Sequence, residues 1–305
     1  MRVAANGLEF EVEIDEPAPA TLREGVEPAS VLLIMGLGMQ LIAWPEALVS
    51  ALTGAGYRVI RFDNRDIGLS SHTPGKAPNL ALMTIKYRLG VNIRTAYTLR
   101  HMVDDTAGVL DALGVTRCHV VGVSMGGMIA QGLASRYPDR VQSLVSIMST
   151  TGARHLPKAT SKASFAFIAR PRSRERDVVV EHLAKVMRVI GSPKYPTPLP
   201  ELRERIGAAY DRAYYPAGMI KQLAAIVASG DRTDEVRAIK APTLVIHGRD
   251  DPLVPVQNGE ETARRIPGSE LVTIIGMGHD FGPLPQITQK VLAFLAKHAG
   301  KAASW

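Results

Sequence analysis

Apolar residues follow two alternating spacings along this chain, one typical of buried strands and the other of amphipathic helices. Short continuous apolar runs end at glycine or at polar turn residues, as strands buried on both faces do. Strands that alternate with helices at this spacing predict an α/β fold with a doubly wound, mostly parallel sheet. The expected strands are 7–14 (an edge strand), 30–36, 58–64, 118–124, 141–150, 241–248 and 270–276, and the expected helices are 44–57, 97–114, 126–138, 257–266 and 285–299.

The alternation stops between residues 152 and 240. This part carries helical patterns, such as 177–190 and 208–227, joined by the proline-dense segment 191–202, and it lacks a convincing core-strand pattern. We therefore expect an α/β core of residues 1–151 and 241–305 with a helical cap, or lid, of residues 152–240 inserted into it. The turn-rich stretch after the strand at 58–64 is expected to be a loop.

Composition limits the class of protein. The chain has 305 residues, 46% hydrophobic and 21% charged, which fits a large globular core. Its single cysteine, Cys118, excludes an internal disulfide, and residues 1–16 lack an apolar signal core. These features predict a cytoplasmic protein. Because no apolar run approaches the roughly 20 residues of a membrane helix, no stable membrane insertion is expected.

The net charge of +7 is concentrated in one segment. Residues 154–176 contain seven Arg or Lys side chains and one Glu. We interpret this segment as a solvated face, the alternative being a patch for an anionic partner or a membrane surface. Since helix-turn-helix, zinc-ligand and RNA-binding aromatic motifs are missing, no nucleic acid is expected. Asp104 and Asp105 are likewise interpreted as the solvated face of their helix.

The candidate chemistry centres on residues 122–126, GVSMG, which match the Gly-x-Ser-x-Gly nucleophile elbow between a strand and a helix. Ser124 needs a base to accept its proton and an acid to orient that base. His279 follows the last strand and is the expected base. His247 lies in a strand end and is expected to pack.

The acid is expected at the end of the preceding strand, where Asp250 and Asp251 both qualify. The order serine, aspartate, histidine is the one expected of this kind of triad. No cofactor is predicted, because complete phosphate-binding glycine motifs are missing. No metal is predicted either, since His-x-x-x-His pairs and Cys/His clusters are missing.

These motifs resemble the α/β-hydrolase superfamily over nearly the whole chain, on GVSMG, HGRDDPLVP, GMGHD and FDNRDIGLSS. In that family the acid stands in a Gly-x-x-Asp-x-x-x-Pro frame, which implies Asp251 and leaves Asp250 as a turn or capping residue. LLIMGLGMQLIAWP and RFDNRDIGLS resemble, more narrowly, bacterial esterases related to aclacinomycin methylesterase.

An oxyanion hole needs two backbone donors. Met125, directly after the nucleophile, is expected to supply one N–H and Leu37, in the loop 35–39, the other. Met35 stands where many relatives have histidine, but the donors are backbone groups and the hole is expected to survive.

The sequence therefore predicts a serine hydrolase that cleaves carboxylic esters of small to medium apolar acyl groups. The alternatives are a proline aminopeptidase, a lactonase or a carbon–carbon bond hydrolase with the same triad, or a ligand-binding receptor on this scaffold. The expected partner is a small-molecule ester, and a homodimer is compatible with this interpretation. The pocket is expected to have a floor of Leu37, Trp44 and Met125 under cap residues Phe165, Phe167, Tyr210, Tyr214, Tyr215 and Met219.

Overall fold

The structure is a computed structural model that describes residues 1–18, 27–91 and 93–299, apart from the side chains at 81, 84, 87 and 88. Its strands form one sheet in the spatial order β1-β2-β4-β3-β5-β6-β7-β8. From β4 to β8 all neighbours are parallel, whereas β1–β2 and β2–β4 are antiparallel. The strands are β1 (Arg2–Ala5), β2 (Leu8–Asp15), β3 (Ser30–Ile34), β4 (Arg58–Phe62), β5 (Cys118–Val123), β6 (Val141–Ile147), β7 (Thr243–Gly248) and β8 (Glu270–Ile274).

Helices cover both faces of this sheet, as the mostly parallel pairing requires. They are α1 (Glu46–Gly54), α2 (Leu80–Arg88), α3 (Leu99–Ala112), α4 (Met125–Arg136), α5 (Ser161–Ile168), α6 (Arg176–Ile190), α7 (Leu199–Arg212), α8 (Pro216–Ser229), α9 (Thr233–Arg237), α10 (Gln257–Arg265) and α11 (Leu284–Lys297).

The central strands are buried on both faces, which explains their continuous apolar runs. In β3, Leu32 and Ile34 belong to the core cluster that includes residues of α3 and α4, whereas Val31 and Leu33 belong to the cluster with residues of α1 and α11. Successive side chains of a strand point to opposite faces, so one short strand contributes to both cores. The doubly wound α/β fold expected from the sequence is confirmed.

Two local expectations were wrong. β2 is not an edge strand, because β1 pairs with its outer side through a hairpin at Asn6-Gly7, both with positive φ. Asn-Gly is the typical residue pair for such a turn, so the signal was present in the sequence. The turn-rich stretch that was expected to be a loop contains the helix α2. Among the described side chains of α2 only Met83 is strongly buried, so the apolar spacing typical of a helix is weak in this part of the sequence.

The segment between β6 and β7 contains helices α5 to α9 and, among the described residues, no strand. We call it the helical insertion. It is fastened to the core by ion pairs with buried carboxylates. Arg212 Nη1 lies 2.7 Å from Asp63 Oδ2, and Lys221 Nζ lies 3.4 Å from Asp66 Oδ1. The boundaries 152–240 for a separate cap domain stay a prediction.

None of the helices in the described ranges is both long and apolar enough to cross a membrane.

Candidate active site

Ser124 stands in a strained turn between β5 and α4. Its φ of 53° and ψ of −118° lie in a region that side-chain-bearing residues rarely adopt. Glycines make this turn possible, since a Cβ on Gly126 would lie 2.0 Å from the carbonyl oxygen of Ile34, and one on Gly122 would lie 2.2 Å from that of Gly126. The turn presents the serine hydroxyl at the carboxyl end of the sheet, where parallel α/β sheets bind ligands.

A relay of hydrogen bonds runs from this serine to a buried carboxylate. Ser124 Oγ lies 3.0 Å from His279 Nε2, and His279 Nδ1 lies 2.7 Å from Asp251 Oδ2. Ser124 is partly exposed, whereas the side chain of His279 is 8% exposed and that of Asp251 is fully buried. The arrangement can pass the hydroxyl proton to the imidazole, with the carboxylate holding its other nitrogen.

The backbone fixes the orientation of Asp251. Its Oδ1 accepts hydrogen bonds from the backbone N–H groups of Leu253 (2.9 Å) and Val254 (2.8 Å), which leaves Oδ2 for the imidazole. Asp250 points elsewhere, because its Oδ2 accepts from the backbone N–H of Gly276 at 2.6 Å. Of the two adjacent carboxylates, the structure brings Asp251 to His279.

His247 is buried beside this acid. It donates from Nε2 to the carbonyl of Val254 at 2.7 Å, and Nε2 lies 3.6 Å from Asp251 Oδ2. Burial lowers the pKa of His247, so the ring stays neutral. Its second nitrogen has no hydrogen-bond partner within the described ranges. His247 therefore packs, and it also braces the turn that carries Asp251.

Two backbone amides belong to segments next to Ser124. Met125 is the first residue of α4, where a helix leaves its N–H groups unpaired. The loop carrying Leu37 lies directly against the serine, since a Cβ on Gly36 would be 3.3 Å from Ser124 Cβ. Neither the Leu37 nor the Met125 amide donates a backbone hydrogen bond within the part of the chain that is described. Two such donors match the requirement of an oxyanion hole.

Gln222 of the helical insertion positions this loop. Its Oε1 accepts from the N–H of Gly38 at 2.9 Å, while its Nε2 donates to the carbonyl of Arg65 at 2.8 Å. The side chain is completely buried. Sequence reasoning missed this residue, because its partners lie more than 150 positions away.

A second set of bonds from the insertion holds the histidine loop. The N–H of His279 donates to the carbonyl of Ile190 at 2.7 Å, and that of Gly278 donates to Ser192 Oγ at 2.9 Å. Asp280 accepts from the backbone N–H of Ser192 at 3.0 Å and from the Ser192 hydroxyl. The end of α6 is thereby fastened beside the imidazole, another contact without a local sequence signal.

The residues expected to form the pocket have different environments. Trp44 is 2% exposed and packs on Phe281 with ring centres 5.5 Å apart. Met219 contacts the Leu37 loop, since a Cβ on Gly38 would lie 3.0 Å from Met219 Cγ. Phe165 is 79% exposed. Phe167 and Tyr215 are partly buried, and Tyr214 stacks on Tyr210 at 4.6 Å. Their roles in binding stay predictions.

Other titratable groups serve the structure. Asp105 was expected to face solvent but is 2% exposed, with Oδ2 2.5 Å from Arg65 Nε, so that expectation was wrong. Burial raises the pKa of Asp105 against the opposing effect of Arg65. Burial also raises the pKa of the Cys118 thiol to about 12, which makes it a poor nucleophile. The described ranges contain no cluster of side chains suited to a metal ion.

Comparison with known proteins gives consistent matches. A family model described as alpha/beta hydrolase fold matches residues 29–282. The 2-hydroxy-6-oxononadienedioate/2-hydroxy-6-oxononatrienedioate hydrolase of Burkholderia vietnamiensis is 28% identical, over 97% of this chain and 95% of the relative. A rhodomycin D methylesterase of a Streptomyces species is 26% identical, over 82% and 85%. A thermophilic esterase from Thermogutta terrifontis superposes with a TM-score of 0.70 at 25% identity, over 98% of each chain.

Proposed function

Because the chain belongs to the alpha/beta hydrolase family, we propose that it is a serine hydrolase of carboxylic esters, with Ser124 as nucleophile, His279 as base and Asp251 as the orienting acid. The observation that carries the proposal is the hydrogen-bonded relay from Ser124 Oγ through the imidazole to a buried carboxylate. A serine hydroxyl becomes an effective nucleophile when such a base takes its proton during attack.

The reaction proceeds in two halves on these side chains. Ser124 Oγ attacks the ester carbonyl while His279 Nε2 takes its proton, and the Leu37 and Met125 amides stabilise the negative oxygen of the tetrahedral intermediate. The intermediate then expels the alcohol, which takes the proton from His279, and leaves an acyl group on Ser124. A water molecule, deprotonated by His279, attacks this acyl-enzyme and releases the carboxylic acid.

The cations at the junction of core and insertion already have partners in the protein, which favours an uncharged substrate. Among the described side chains, the buried or nearly buried cations of the insertion at this junction are Arg212, Lys221 and Arg232. Arg212 and Lys221 pair with buried aspartates. Arg232 donates to the carbonyls of Met128 and Thr150, and is thus also satisfied. Since these cations are engaged, none of the three is left to receive a substrate carboxylate. We propose small to medium apolar acyl groups, with Met219 and Trp44 as pocket walls.

The second candidate is hydrolysis of a carbon–carbon bond in a 2-hydroxy-6-oxo dienoate. It is favoured by the 28% identity with the Burkholderia vietnamiensis hydrolase across nearly the full length of both chains. That relative's named substrate carries two carboxylates, which the paired cations at the junction do not favour. The methylesterase and esterase relatives support the ester reaction.

A substrate panel distinguishes the two reactions. p-Nitrophenyl esters of increasing acyl length, aryl amides, lactones and a 2-hydroxy-6-oxo dienoate are assayed beside active-site labelling with a fluorophosphonate. We expect the highest kcat/KM with uncharged esters and labelling at Ser124, identified by peptide mass spectrometry. Ser124→Ala should lower kcat by roughly 10⁴-fold or more.

The matched control is Ser135→Ala, in the last turn of the helix α4 that begins directly after Ser124, and this variant should retain wild-type activity. Full turnover by Ser124→Ala, or labelling elsewhere, would contradict the serine mechanism. Faster cleavage of the dienoate than of every ester would instead assign the second candidate.

A further inference from the structure

The outer face of α2 is apolar and unprotected. Leu82, Ile85 and Leu89 are 52%, 55% and 72% exposed, and Val91 just beyond the helix is 50% exposed. Leu82 and Ile85 lie in α2 and Leu89 directly follows it, and their spacing of i, i+3 and i+7 places them on one side of the helix. Met83, on the other side, is 6% exposed and anchors the helix inwardly. Contiguous exposed apolar groups of this kind mark an interaction surface.

The chain segment that contains this face carries charge of a single sign. Residues 67–103 contain no Asp or Glu, whereas they contain five Lys or Arg side chains, at positions 76, 86, 88, 94 and 100. Lys76 and Arg94 are exposed, and Lys86 is partly exposed. None of these three side chains forms an ion pair with another side chain in the described part of the chain. The positive charge of these three side chains is therefore not neutralised by a neighbouring carboxylate among the described residues.

We propose that the outer face of α2 is a docking surface for a membrane that contains anionic lipid. A short helix with an apolar face and basic flanks can lie in the plane of a membrane, with its apolar side chains among the acyl chains. Its basic side chains then meet the negative surface potential of anionic headgroups. A protein–protein interface has a polar rim without a fixed sign of charge, whereas every charged side chain of the segment 67–103 is basic.

The helix α2 is linked to the loop beside Ser124 through one helix of the insertion. α2 packs against α8. From α8, Met219 contacts Gly38 and Gln222 accepts its N–H, so this helix touches the loop that carries Leu37. The inference does not depend on the reaction, because it concerns binding of the folded chain to a surface.

The test is co-sedimentation of the full chain with vesicles, using phosphatidylcholine alone and mixtures with about one-third phosphatidylglycerol. We expect binding to the anionic vesicles, little binding to neutral ones, and weakening by salt. Replacing Ile85 and Leu89 together by serine should lower the partition coefficient at least about tenfold, because two large side chains no longer enter the bilayer. Replacing Lys76, Lys86 and Arg94 by glutamine should also lower it at least about tenfold.

Two matched controls keep the result specific. Leu271→Ser with Ile275→Ser removes two exposed apolar side chains at β8, 41% and 59% exposed, and should leave binding unchanged. Arg237→Gln, Lys240→Gln and Lys290→Gln together make the same change of charge elsewhere and should also bind. Ester turnover and thermal unfolding verify that each variant is folded.

The proposal is wrong if the wild-type chain ignores anionic vesicles, or if the Ile85/Leu89 variant binds them as tightly as wild type. It is also wrong if size-exclusion chromatography reveals a dimer that this variant abolishes while vesicle binding is absent. That outcome would identify a second copy of the chain as the occupant of the surface. A loss of ester turnover with intact vesicle binding would contradict only the proposed function.

Discussion

The two adjacent aspartates after β7 allow a sharp test of the catalytic relay. Asp251 and Asp250 differ in their partners, since Asp251 Oδ2 faces His279 Nδ1 at 2.7 Å and Asp250 Oδ2 faces the backbone of Gly276 at 2.6 Å. Replacement of each by asparagine keeps the shape and removes one negative charge. We expect the two variants to differ in activity by orders of magnitude.

The magnitude follows from the hydrogen bonds of Asp251. Its Oδ1 accepts from two N–H groups, so the amide oxygen of an asparagine must take that position, and its NH₂ must face the imidazole. Nδ1 of His279 would then have to accept, which puts the ring proton on Nε2. That nitrogen could no longer accept the proton of Ser124. A triad forced into the wrong tautomer loses about 10⁴-fold in kcat, or about 5 kcal/mol of transition-state stabilisation.

For Asp250→Asn the expected loss is small. The amide oxygen can still accept from Gly276, and the exchange of a charged for a neutral acceptor changes the free energy of unfolding by about 1 kcal/mol. The activity should fall by less than about tenfold, through looser positioning of the His279 loop.

Steady-state kinetics with a p-nitrophenyl ester, together with the rate of fluorophosphonate labelling, measure both variants. Circular dichroism and urea unfolding verify the fold. Equal losses in the two variants, or a greater loss for Asp250→Asn, would refute the assignment of the acid. Retention of more than about one-tenth of wild-type kcat by Asp251→Asn would refute the need for a fixed tautomer.

Two further predictions concern the insertion and the core. Met219→Ala should raise kcat/KM for longer acyl chains relative to shorter ones by about tenfold, because Met219 packs on the Leu37 loop. The control Ile168→Ala, at a side chain of α5 that is 56% exposed, should leave the acyl-length profile unchanged. An unchanged profile in both variants would place specificity elsewhere. Burial lowers the pKa of His119 from its ordinary value of about 6.5 to about 4. Between these two pH values the unfolded chain binds a proton at His119 that the folded chain does not bind. The free energy of unfolding should therefore fall by about 3 kcal/mol as the pH drops from about 6.5 to about 4. The His119→Gln variant should lack this part of the pH dependence, which urea unfolding at pH values near both pKa values measures. An equal decline in the free energy of unfolding of wild type and variant would contradict the prediction.

The features that could be predicted from the sequence are those encoded by neighbouring residues. The apolar run of β5, the glycines around Ser124 and the helical period of α4 lie within twenty positions, and together they predict the elbow. His279 and Asp251 were located by their positions after strands, because parallel strands place their carboxyl ends along one edge. Even the choice between Asp250 and Asp251 needed a family resemblance, since both side chains leave the same turn and only their backbone partners separate them.

The features that could not be predicted depend on contacts between distant segments. Asp105 has the period of a solvent-facing helical residue, yet Arg65 from a different loop draws it into the core. Gln222 and Ser192 have polar side chains of a kind that typically faces water. They are buried here because each accepts a hydrogen bond from a backbone N–H group near the active site. A local pattern carries no information about such partners.

The positive charge of the chain is another property whose role depends on contacts between distant segments. A net charge of +7 does not say which cations are free. Arg212 and Lys221 lie in the insertion and are 17% and 4% exposed, because Asp63 and Asp66 of the turn after β4 accept them. Removing one partner of such a pair strands a buried charge and is strongly destabilising. These cations therefore hold the insertion against the core and do not bind a substrate or a surface. Lys76 and Arg94 beside α2, in contrast, are exposed and can bind anions. The distinction between anchoring and exposed cations is what favours an uncharged ester at the serine and an anionic lipid surface at α2.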